Sequence, residues 1–435
     1  MTKIVFLFKI KTMEKSEFFS IEGGLPLRGV VEISGSKNGA LALISAALLT
    51  STPSILRNIP LVSDVFNFIE LAKEVGAEIQ FIDEKTIKIF GGKKAKKDFS
   101  WKLFEKMRAS ILLLPYLIKN FENIKFPPPG GDKIGLRPIA THIDFLKQLG
   151  INIKREGYFY SLKKPKKFSS KKIILNEFSV TASEMAISLL STIEKDFSLS
   201  TVAVEPHVQD LCYFLQKAGA RIEGIGSHFL KIRGTKKLKG VEMTIPPDPI
   251  EVGTFLIAFA VTKGKGEIKG VRASDLEYFF KKMKEIGVNF EIKKNRLLVY
   301  PSQSFFGTKI QSLPHPGFPT DLQPQTSVLL TISQGKSLIH EPLYENRFSH
   351  LHQFRKMGAD IEITDPHRAI IFGKKTLNPE KLDGSDIRST ASLILASLIP
   401  KGKSLVSGID QLKRGFEDFD KKLNKLGARI KVVSS

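Results

Sequence analysis

Apolar and polar residues follow one another in a pattern that repeats six times along this chain. In each repeat, apolar residues recur at the three- and four-residue spacing of an amphipathic helix, then comes a glycine, then a short apolar–polar alternation. Glycine directly after a helical turn that contains lysine is typical of a helix C-terminus, and the alternation is typical of a half-buried strand. The six glycines lie 68 to 74 residues apart: Gly76, Gly150, Gly219, Gly287, Gly358 and Gly427.

A second, more apolar helix is predicted upstream of each glycine. These segments are residues 41–49, 109–118, 182–193, 253–261, 326–332 and 389–399. Such a period is too long for a solenoid repeat and fits a unit of two helices and about four strands. Helices that alternate with strands indicate the α/β class. Six units in 435 residues therefore predict two domains of three units each, with a binding cleft between them.

Composition narrows the class of protein. Hydrophobic residues make up 42% of the chain and charged residues 26%, as in ordinary globular proteins. The longest apolar runs, such as residues 40–49, are far shorter than the ~20 residues that cross a bilayer, so no membrane span is expected. The single cysteine, Cys212, excludes an internal disulfide and fits a reducing cytoplasm. Its helical spacing with Val208 and Leu215 predicts a core thiol.

The chain is strongly basic, with 67 lysines and arginines against 44 acidic residues. A net charge of +23 suits nucleic-acid binding, but it also suits an enzyme for phosphorylated substrates. The densest runs, residues 93–97 and 163–167, contain no interleaved aromatic residues and flank apparent hairpins, so we interpret them as solvated turns. The charge thus indicates anionic ligands without naming one.

The first 16 residues differ from the rest. Residues 4–8 form an apolar core of only five residues, and no small-residue cleavage site follows, which argues against a signal peptide. Met13 is followed by polar residues and could serve as an alternative start. We therefore expect residues 1–16 to be an N-terminal extension outside the fold that need not be ordered.

One stretch stands out for its backbone chemistry. Residues 127–138 contain four prolines and three glycines, which excludes a helix interior or a central strand and predicts a shaped loop. The loop holds one carboxylate, Asp132, and two cations, Lys133 and Arg137. Loops on rigid scaffolds often carry function, and an acid among cations indicates anion chemistry. An ordinary surface turn with solvated charges is the alternative.

Further polar residues lie at predicted helix starts and turns. Lys37 follows a Gly/Ser turn and precedes a helix, an arrangement that presents backbone N–H groups and an ammonium group to an anion. Asp321 follows a proline-rich segment, where it could equally be a helix N-cap. Arginines, which bind phosphate and carboxylate in bidentate fashion, recur at equivalent points of the units. They are Arg108, Arg137, Arg347, Arg388 and Arg414.

Several common chemistries have no basis in the sequence. The eight histidines form no metal-binding spacing, and neither a P-loop, a Gly-x-Ser-x-Gly elbow nor a dinucleotide fingerprint occurs. The residues alone therefore predict a two-domain α/β protein whose cleft binds small polyanions without a metal.

Seven short motifs occur in order from about residue 18 to the C-terminus: SGSKN at 34–38, MRAS at 107–110, PGG…GLRP at 129–138, FPTD at 318–321, ENRF at 345–348, DIR at 386–388 and RGFE at 414–417. Together they resemble the enolpyruvyl transferases, in the branch whose acceptor is UDP-N-acetylglucosamine. The resemblance implies an α/β (α+β) fold of two domains, an inside-out α/β barrel with six βαβαββ repeats, three per domain. It implies one domain at residues 37–246, with the catalytic loop 127–137, and the other at residues 17–36 plus 247–435.

That resemblance also implies an activity. The enolpyruvyl group of phosphoenolpyruvate would pass to the 3-hydroxyl of UDP-N-acetylglucosamine with release of phosphate, the first committed step of peptidoglycan synthesis. The implied route is addition followed by elimination: C3 of phosphoenolpyruvate is protonated, the sugar alkoxide attacks C2, and cations stabilise the phosphate and carboxylate. The resemblance implies no cofactor, no nucleic acid and no membrane partner, a cytoplasmic location, and a monomer or weak oligomer.

The roles of family residues carry over to matching positions. Asp132 would be the general acid and Asp321 the base for the sugar hydroxyl, with Lys37 and Arg414 also catalytic. The implied phosphoenolpyruvate contacts are Lys37, Asn38, Arg137, Arg347, Arg388 and Arg414, and Asp386 completes the cleft. The implied UDP-sugar contacts are Arg108, Arg137, Pro138, Ile139, Ala140, Thr141, Ser179, Val180, Asp321 and Leu343.

The chain departs from the family pattern in two places. Asp132 occupies the position that is most often cysteine, so a covalent cysteine adduct and alkylation by the epoxide antibiotic fosfomycin are both expected to be lost. Because aspartate is ionised near neutral pH, Asp132 would need desolvation by loop closure, or bound substrate anions, to act as an acid. Glu177 and Thr181 stand where many relatives carry lysine and glycine beside the uridine site, which leaves the uracil contacts open.

Three alternatives stay open at this point. The sister enzyme 3-phosphoshikimate 1-carboxyvinyltransferase shares the repeat, but the loop with Asp132 and the ENRF stretch favour the UDP-sugar branch. A non-enzymatic basic protein that binds RNA or another polyanion would show a steep salt dependence and no need for Asp132 or Lys37. An inactive paralogue is the third, and the retained Lys37, Arg137, Asp321 and Arg414 argue against it.

Overall fold

A computed structural model describes residues 17–92, 94–169, 171–374 and 376–434. The expected extension, residues 1–16 with Met13, lies outside the described residues. Strands in the described part are β1 Glu17–Gly23, β2 Arg28–Glu32, β3 Ser54–Arg57, β4 Glu78–Asp83, β5 Thr86–Phe90, β6 Asn123–Phe126, β7 Asn152–Glu156, β8 Phe159–Lys163, β9 Lys172–Ile174, β10 Asp196–Ser200, β11 Arg221–Glu223, β12 Phe229–Arg233, β13 Glu242–Thr244, β14 Lys265–Lys269, β15 Phe290–Lys293, β16 Arg296–Val299, β17 Lys309–Gln311, β18 Lys336–His340, β19 Asp360–Asp365, β20 Arg368–Phe372, β21 Lys381–Leu382, β22 Gly402–Val406 and β23 Arg429–Ser434.

The α-helices of the same ranges are α1 Lys37–Ala47, α2 Ser63–Glu74, α3 Trp101–Phe104, α4 Leu114–Asn120, α5 Ala140–Gln148, α6 Val180–Leu190, α7 Pro206–Lys217, α8 Pro249–Val261, α9 Glu277–Ile286, α10 Gln323–Thr331, α11 Ser349–Lys356, α12 Ile387–Ser397, α13 Ile409–Lys413 and α14 Phe419–Lys425. Three 3₁₀ helices accompany them, at Arg108–Leu113, Ala273–Leu276 and Thr320–Leu322.

The six repeat glycines end helices as predicted. All six have positive φ, from +82° at Gly150 to +113° at Gly219. Glycine adopts this left-handed conformation at no steric cost, and it turns the chain out of the helix. A strand begins within three residues of each glycine, so the predicted helix–glycine–strand unit is confirmed.

The strands of the described residues form six separate sheets. Five have four strands, ordered β21-β22-β1-β23, β11-β12-β10-β9, β13-β3-β5-β4, β15-β16-β14-β2 and β17-β18-β20-β19. Each of these five contains one parallel pair and two antiparallel pairs, which is the pairing of a βαβαββ unit. The sixth sheet, β6-β8-β7, has three strands and lacks the parallel one. The expected six-fold repeat is therefore present, with one unit a strand short.

The upstream helices lie inside and the sheets outside, as an inside-out arrangement requires. Nearly every residue of α1, α6, α8, α10 and α12 is buried, whereas the strands alternate between buried and exposed positions. Helices α1, α6 and α8 are largely apolar and therefore pack on most sides, whereas α10 and α12 also bury polar side chains. No sheet of the described residues closes on itself.

The helix predicted over residues 109–118 is only partly an α-helix. Met107 is extended, with φ −142° and ψ 150°, and a 3₁₀ helix at Arg108–Leu113 precedes α4. The hydroxyl of Ser110 donates to the carbonyls of Phe104 and Met107, at 2.6 and 2.8 Å. A side chain that bonds nearby backbone competes with the regular helix, and this contact stabilises the break.

Buried apolar side chains form two separate cores. The first core consists of residues from 40–245 only, and the second core combines residues 19–33 with residues 252–430. The chain passes from the second core to the first between β2 and α1, and it returns between β13 and α8. The two crossings lie side by side, because Gly35 and Pro247 form an isolated antiparallel bridge. Cys212 lies in the first core, and its burial raises the pKa of the thiol to about 12, so the predicted core thiol is confirmed.

Candidate active site between the two cores

The loop 127–138 is irregular, as predicted, and connects β6 to α5. At two of its glycines, atoms of other residues lie too close to leave room for a side chain. A Cβ at Gly130 would lie 1.7 Å from the carbonyl oxygen of Glu105, and a Cβ at Gly135 would lie 2.4 Å from a carboxylate oxygen of Glu345. Gly135 also has φ +151°, which disfavours any side chain. The loop therefore has its shape because glycine stands at these points.

The loop is attached to the second-core part of the chain. The backbone N–H of Leu136 donates to Oε1 of Glu345 at 2.6 Å, and the N–H of Asn346 donates to the carbonyl of Ile134 at 3.0 Å. The Leu136 side chain is 86% exposed, so packing does not hold this part of the loop. These two hydrogen bonds attach residues 134–136 of the loop to residues 345–346, across the space between the two cores.

The guanidinium group of Arg414 contacts two carboxylates beside the loop. Its NH1 donates to Oδ1 of Asp132 at 2.5 Å, and its Nε donates to Oδ1 of Asp64 at 3.0 Å. The ammonium group of Lys37 lies 3.4 Å from Oδ2 of the same Asp64. Burial disfavours the charge on Arg414, but Asp64 and Asp132 outweigh that effect and raise its pKa. The sequence-predicted residues Lys37, Asp132 and Arg414 thus meet around Asp64, which sequence reasoning missed.

Local structure fixes Lys37 in this cluster. Ser36 caps α1 by accepting a hydrogen bond from the N–H of Gly39 at 3.2 Å, and Lys37 is the first helical residue. The backbone N–H of Lys37 donates to Oδ2 of Asp248 at 3.2 Å. The turn was expected to present free N–H groups to an anion. The one at Lys37 is already used, which leaves the ammonium group as its contribution.

A second cluster surrounds Asp321. Its Oδ1 accepts from NH2 of Arg347 at 2.7 Å, and its Oδ2 accepts from Nε and NH2 of Arg388 at 3.0 and 2.8 Å. Burial works against the charged carboxylate, but Arg388, Arg347 and Lys37 together hold the pKa of Asp321 well below its usual range. The Arg347 side chain is only 1% exposed, so the arginine of this ion pair is shielded from water, whereas the Asp321 side chain is 30% exposed. The structure brings these three predicted residues together.

Asp386 is a helix N-cap, and Asp321 is not. Asp321 lies inside the 3₁₀ helix before α10 and makes no cap. Asp386 is the N-cap of α12 and accepts from the N–H groups of Arg388 and Ser389 at 2.9 and 3.1 Å. Its Oδ1 lies 3.9 Å from NH1 of Arg347. Asp386 therefore orients the two arginines that hold Asp321.

Arg108 supports the backbone next to the loop. Its guanidinium donates to the carbonyl of Arg137, and to the carbonyl of Pro138 at 2.8 Å. Burial, with a smaller effect from Arg137, lowers the pKa of Arg108 to about 10. Arg137 extends the other way, with its guanidinium 5.9 Å from the ring centre of Tyr344. A cleft of about 290 Å³ lies among Arg108, Arg137, Asp132, Lys133, Asn346 and the loop glycines.

The helix starts of α5 and α6 are joined by side chains. The hydroxyl of Thr141 donates to Oε1 of Glu177 at 2.9 Å, and Nε2 of His142 lies 2.9 Å from the hydroxyl of Thr181. Glu177 and Thr181, the two departures at the expected uridine site, thus bond to the segment that contains the expected UDP-sugar contacts. The carboxylate of Glu177 is also close enough to Arg108 to favour its charge.

The remaining predicted residues occupy the rims of these clusters. Asn38 is half-buried in the first turn of α1, and Ser179 and Val180 form the N-cap and first residue of α6. Leu343 is 38% exposed, next to Tyr344 in the segment after β18. In the segment before α5, Pro138 and Ala140 are exposed while Ile139 and Thr141 are buried. No contact joins these residues to Asp132 or Asp321 in the described structure.

Sequence reasoning also missed a buried acid–histidine pair. Oε1 of Glu184 lies 3.7 Å from Nε2 of His207 and has no hydrogen-bond partner among the described residues. Burial, followed by the charge of Glu205, raises the pKa of Glu184 well above its usual range. Burial lowers the pKa of His207 to about 4 against the opposing charge of Asp321, so the ring is neutral at pH 7. Neither residue forms a motif, so no local signal could have found them.

The arrangement suits anionic reactants. Five cations converge on the space between the cores: Lys37, Arg137, Arg347, Arg388 and Arg414. Preorganised cations stabilise anions and the charge that develops on them without reorganisation during reaction. Two carboxylates, Asp132 and Asp321, lie in separate cation clusters, as an acid and a base with different tasks would.

This fold and this set of cations and carboxylates define an enolpyruvyl transferase, and the chain belongs to that family. Residues 21–423 match the family model for EPSP synthase (3-phosphoshikimate 1-carboxyvinyltransferase). Similar curated proteins bear another name within the family, UDP-N-acetylglucosamine 1-carboxyvinyltransferase. One from Thermotoga petrophila is 37% identical over 95% of this chain and 98% of its own length. Others from Helicobacter pylori and Thermodesulfovibrio yellowstonii are 36% and 38% identical over 95% of this chain, and over 98% and 99% of their own lengths.

Solved structures share the fold. The enolpyruvyl transferase NikO from Streptomyces tendae superposes with a TM-score of 0.88 at 22% identity, over 97% of this chain and all of the other. EPSP synthase from Acinetobacter baumannii gives a TM-score of 0.74 at 17% identity, over 96% of this chain and all of the other. These likenesses confirm the expected enolpyruvyl-transferase fold. No helix of the described residues has the length and apolarity that a membrane span requires.

Proposed function

We propose that this chain transfers the enolpyruvyl group of phosphoenolpyruvate to the 3-hydroxyl of UDP-N-acetylglucosamine, with release of phosphate, as the first committed step of peptidoglycan synthesis. Relatives that are 35–38% identical over 95% of the chain are named UDP-N-acetylglucosamine 1-carboxyvinyltransferase, which supports the transfer to this acceptor. The observation that carries the proposal is the contact of Arg414 with Asp132, 2.5 Å apart, beside Lys37. It unites an acid on the loop with two cations for an anionic substrate.

Phosphoenolpyruvate would bind among the cations. Lys37 and Arg414 already share Asp64, and Arg137 reaches the same cleft from the loop. Asn38, Arg347 and Arg388 complete the proposed contacts. Guanidinium groups bind phosphate and carboxylate through paired N–H donors, which favours two oriented anionic ends over a point charge.

Asp132 would supply the proton to C3 of phosphoenolpyruvate. In the structure its Oδ1 is paired with Arg414. A substrate phosphate that binds Arg414 would replace this contact and leave the Asp132 carboxyl free to approach C3. The proton then moves from Asp132 to C3, the sugar oxygen bonds to C2, and cations stabilise the intermediate. In the elimination, the Asp132 carboxylate takes a proton back from C3, the electrons of that C–H bond form the C2–C3 double bond, and the C2–O bond to phosphate breaks so that phosphate leaves.

Asp321 would take the proton from the acceptor hydroxyl. Its side chain is 30% exposed toward the space between the cores, while both carboxylate oxygens are held by arginines. Such fixed hydrogen bonds orient a base but weaken it, so the proton leaves most easily while the C2–O bond forms. Arg347, Arg388 and Asp386 act as positioning residues for Asp321.

The UDP-sugar would lie along the starts of α5 and α6. Arg108 shapes the segment that contains Arg137, Pro138, Ile139, Ala140 and Thr141 through two carbonyl contacts. Ser179 and Val180 begin α6, and Leu343 borders the same region. Thr141 and Glu177 are bonded to each other, so uracil would meet this pair rather than a lysine.

The aspartate at position 132 also bears on inhibition. Fosfomycin alkylates a thiolate, and a carboxylate that is paired with Arg414 is a poor nucleophile for an epoxide. The only cysteine, Cys212, is buried in the first core with a pKa raised to about 12. We therefore propose that fosfomycin does not inactivate the protein.

The division into domains belongs to the same proposal. Residues 37–246 would form one domain with the catalytic loop, and residues 17–36 plus 247–435 would form the other. The two cores, which share no residue, support this division. We further propose a cytoplasmic monomer or weak oligomer with no nucleic-acid or membrane partner, since both substrates are small and water-soluble.

The test is phosphate release from phosphoenolpyruvate with either UDP-N-acetylglucosamine or shikimate 3-phosphate as acceptor, with and without fosfomycin. We expect phosphate release with UDP-N-acetylglucosamine as acceptor and none with shikimate 3-phosphate. Fosfomycin should leave the rate unchanged. Turnover with shikimate 3-phosphate would instead support 3-phosphoshikimate 1-carboxyvinyltransferase, the description of the matching family model. Turnover with neither acceptor would contradict the proposed activity and leave a binding protein or inactive paralogue.

A further inference from the structure

The three-stranded sheet leaves one strand edge open. In the other five sheets, a short strand pairs in parallel with the second strand of the unit: β2 with β14, β9 with β10, β13 with β3, β17 with β18 and β21 with β22. The equivalent second strand here is β6, which pairs only with β8. Alternate residues of an antiparallel strand direct their N–H and C=O groups away from the partner, so part of the β6 backbone points to the open side.

The cause of the gap can be traced in the chain. Four units share a hydrogen bond from a backbone N–H to the end of the preceding helix, and a strand begins three residues later. The donors are Ser169, Lys239, Phe306 and Asn378, followed by strands that begin at Lys172, Glu242, Lys309 and Lys381. Lys96 makes the same bond, to the carbonyl of Val75 at 2.8 Å. The strand due after it is replaced by helix α3, which begins at Trp101.

A groove lies over one face of this sheet and extends from β7 across β8 to the open edge strand β6. It has a volume of about 610 Å³, and its walls come from residues 97–101 and from all three strands of the sheet. It lies apart from the candidate active site, since none of the residues that line the cleft at Asp132 lines the groove. Trp101 stands in its wall and is 45% exposed.

Four lysines line the groove: Lys97, Lys125, Lys154 and Lys163. None of them forms an ion pair with a carboxylate in the described structure, although Asp98 and Glu156 line the same groove. The two basic runs that we interpreted as separate solvated turns thus contribute Lys97 and Lys163 to one surface. Lysines on an edge strand protect it from aggregation, but Lys163 belongs to the central strand, so edge protection alone does not explain the set.

We propose that this groove binds an extended acidic segment of a partner protein, which adds to the sheet as a strand parallel to β6. The open backbone groups of β6 would pair with the backbone of the segment, as in other cases of strand addition. The four ammonium groups, none of which forms an ion pair with a carboxylate in the described structure, would bind its carboxylates, and Trp101 would contact an apolar side chain. The segment would take the place that a fourth strand takes in each of the other five sheets.

The open edge distinguishes a peptide from a nucleic acid. A single-stranded nucleic acid would use the lysines and Trp101, but it would make no use of a β-strand's backbone groups. Within the described part of the chain, the backbone of residues 123–126 makes hydrogen bonds only to β8. A polypeptide satisfies both the edge and the charges, and therefore it is the occupant that the geometry favours.

The protein carries its own probe for this test, because Trp101 is the only tryptophan in the sequence. We would titrate the full-length protein with an acetylated ten-residue peptide of alternating glutamate and valine and follow tryptophan fluorescence. A copy of the peptide that is N-methylated at every peptide bond keeps the charges and loses the N–H donors. An oligouridylate of ten nucleotides tests nucleic acid. Hydrogen exchange of the amides of residues 123–126 reports pairing with β6 directly.

We expect saturable binding of the Glu/Val peptide, protection of the β6 amides, and affinity at least about tenfold weaker for the N-methylated copy. The double variant Lys125→Gln/Lys163→Gln should weaken binding by a similar factor. Its matched control is Lys102→Gln/Lys166→Gln, which removes two exposed lysines outside the groove and should bind like the unaltered protein. The enolpyruvyl-transfer activity should be the same in the unaltered protein and in both double variants.

Several results would overturn the proposal. Equal binding of the N-methylated copy would mean that charge alone acts, and tighter binding of the oligouridylate would reassign the groove to nucleic acid. A fluorescence change that depends on protein concentration alone, together with dimers in analytical ultracentrifugation, would assign it to a second copy of this chain. No saturable change up to about 1 mM peptide would contradict the proposal and leave the lysines as solvated surface charges.

Discussion

The guanidinium of Arg414 lies 2.5 Å from the carboxylate of Asp132, although 282 positions separate the two residues in the sequence. One residue follows α13 on the second-core side, and the other lies on the proline- and glycine-rich loop that follows β6. The contact therefore depends on the relative position of the two cores. A substrate anion that binds Arg414 would compete with this contact, which links the position of the loop acid to the arrival of the substrate.

Replacement of the loop acid should abolish most turnover. Asp132→Asn keeps the size of the side chain but has no proton to give to C3, so kcat should fall by about 10²–10⁴. Phosphate release with both substrates measures the change. Asp196→Asn, an exposed carboxylate on β10, is the matched control and should be neutral. If Asp132→Asn retained full kcat, another group would have to be the acid.

Asp132→Cys should restore susceptibility to alkylation. A thiol near Arg414 and Lys37 ionises more readily and can attack an epoxide. Incubation with fosfomycin followed by mass spectrometry should show one covalent adduct on the variant and none on the unaltered protein. An adduct on the unaltered protein would contradict the proposed insensitivity, and its position would identify the nucleophile.

Asp64 should act as a positioning residue for the substrate cations. Asp64→Asn removes the charge that holds both Lys37 and Arg414, so KM for phosphoenolpyruvate should rise by about tenfold while kcat changes less. Steady-state kinetics with varied phosphoenolpyruvate separates the two parameters. Asp64→Glu, which keeps the charge, should recover part of the KM. Equal losses in kcat and kcat/KM would instead indicate that Asp64 acts only in the transition state.

Gly135 should be needed for the loop to reach the second-core part of the chain. In Gly135→Ala, the new Cβ would lie 2.4 Å from a carboxylate oxygen of Glu345, and kcat/KM should fall by about tenfold or more. Gly157→Ala is the matched control, because its φ is also positive, at +61°, and no heavy atom lies within 4 Å of the added Cβ. Similar activity losses in both variants would indicate general backbone strain instead of a lost loop contact.

Glu184 should make stability depend on pH. Its pKa is raised in the folded state, so the folded protein holds a proton that the unfolded chain loses above about pH 4.5, and the free energy of unfolding falls as pH rises from there. Glu184→Gln removes this effect and should be the more stable protein at pH 7, by about 1 to 3 kcal/mol. Urea unfolding at pH 5 and pH 8 measures it, with the exposed Glu194→Gln as control. A pH-independent difference between the proteins would show that Glu184 does not titrate with folding.

Much of the fold was predictable because its signals are local. A glycine that ends a helix needs only its own φ and the adjacent turn, and all six such glycines behave as predicted. The arginines of the site were predictable for a related reason, since they recur within the repeated unit, although at two points of it and not at one. Arg108 and Arg388 lie at the start of the upstream helix, and Arg137, Arg347 and Arg414 precede the helix that ends at the repeat glycine. Asp321 was identified on a proline-stiffened segment, although its alternative role as a helix cap could not be excluded from the sequence.

The unpredicted features depend on distant contacts. Asp64 carries no motif, and its role follows from two cations that lie 27 and 350 residues away. Glu345 was noted only within a motif, yet its carboxylate holds the N–H of Leu136. The missing strand has no signature either, because the sequence after Lys96 forms a short helix where its five counterparts form strands. Each of these three features depends on tertiary contacts, so a short stretch of neighbouring residues could not predict it.

The side-by-side crossings at Gly35 and Pro247 have a consequence for how the protein is made. The first core draws only on residues 40–245, so every residue that it needs has left the ribosome while the second core still lacks most of its chain. Strand β1 is synthesised first, but its two neighbours in the sheet, β22 and β23, are synthesised last. Strand β1 therefore stays unpaired until β22 and β23 have been synthesised. A chain that terminates before them would leave β1 without partners beside a folded first core.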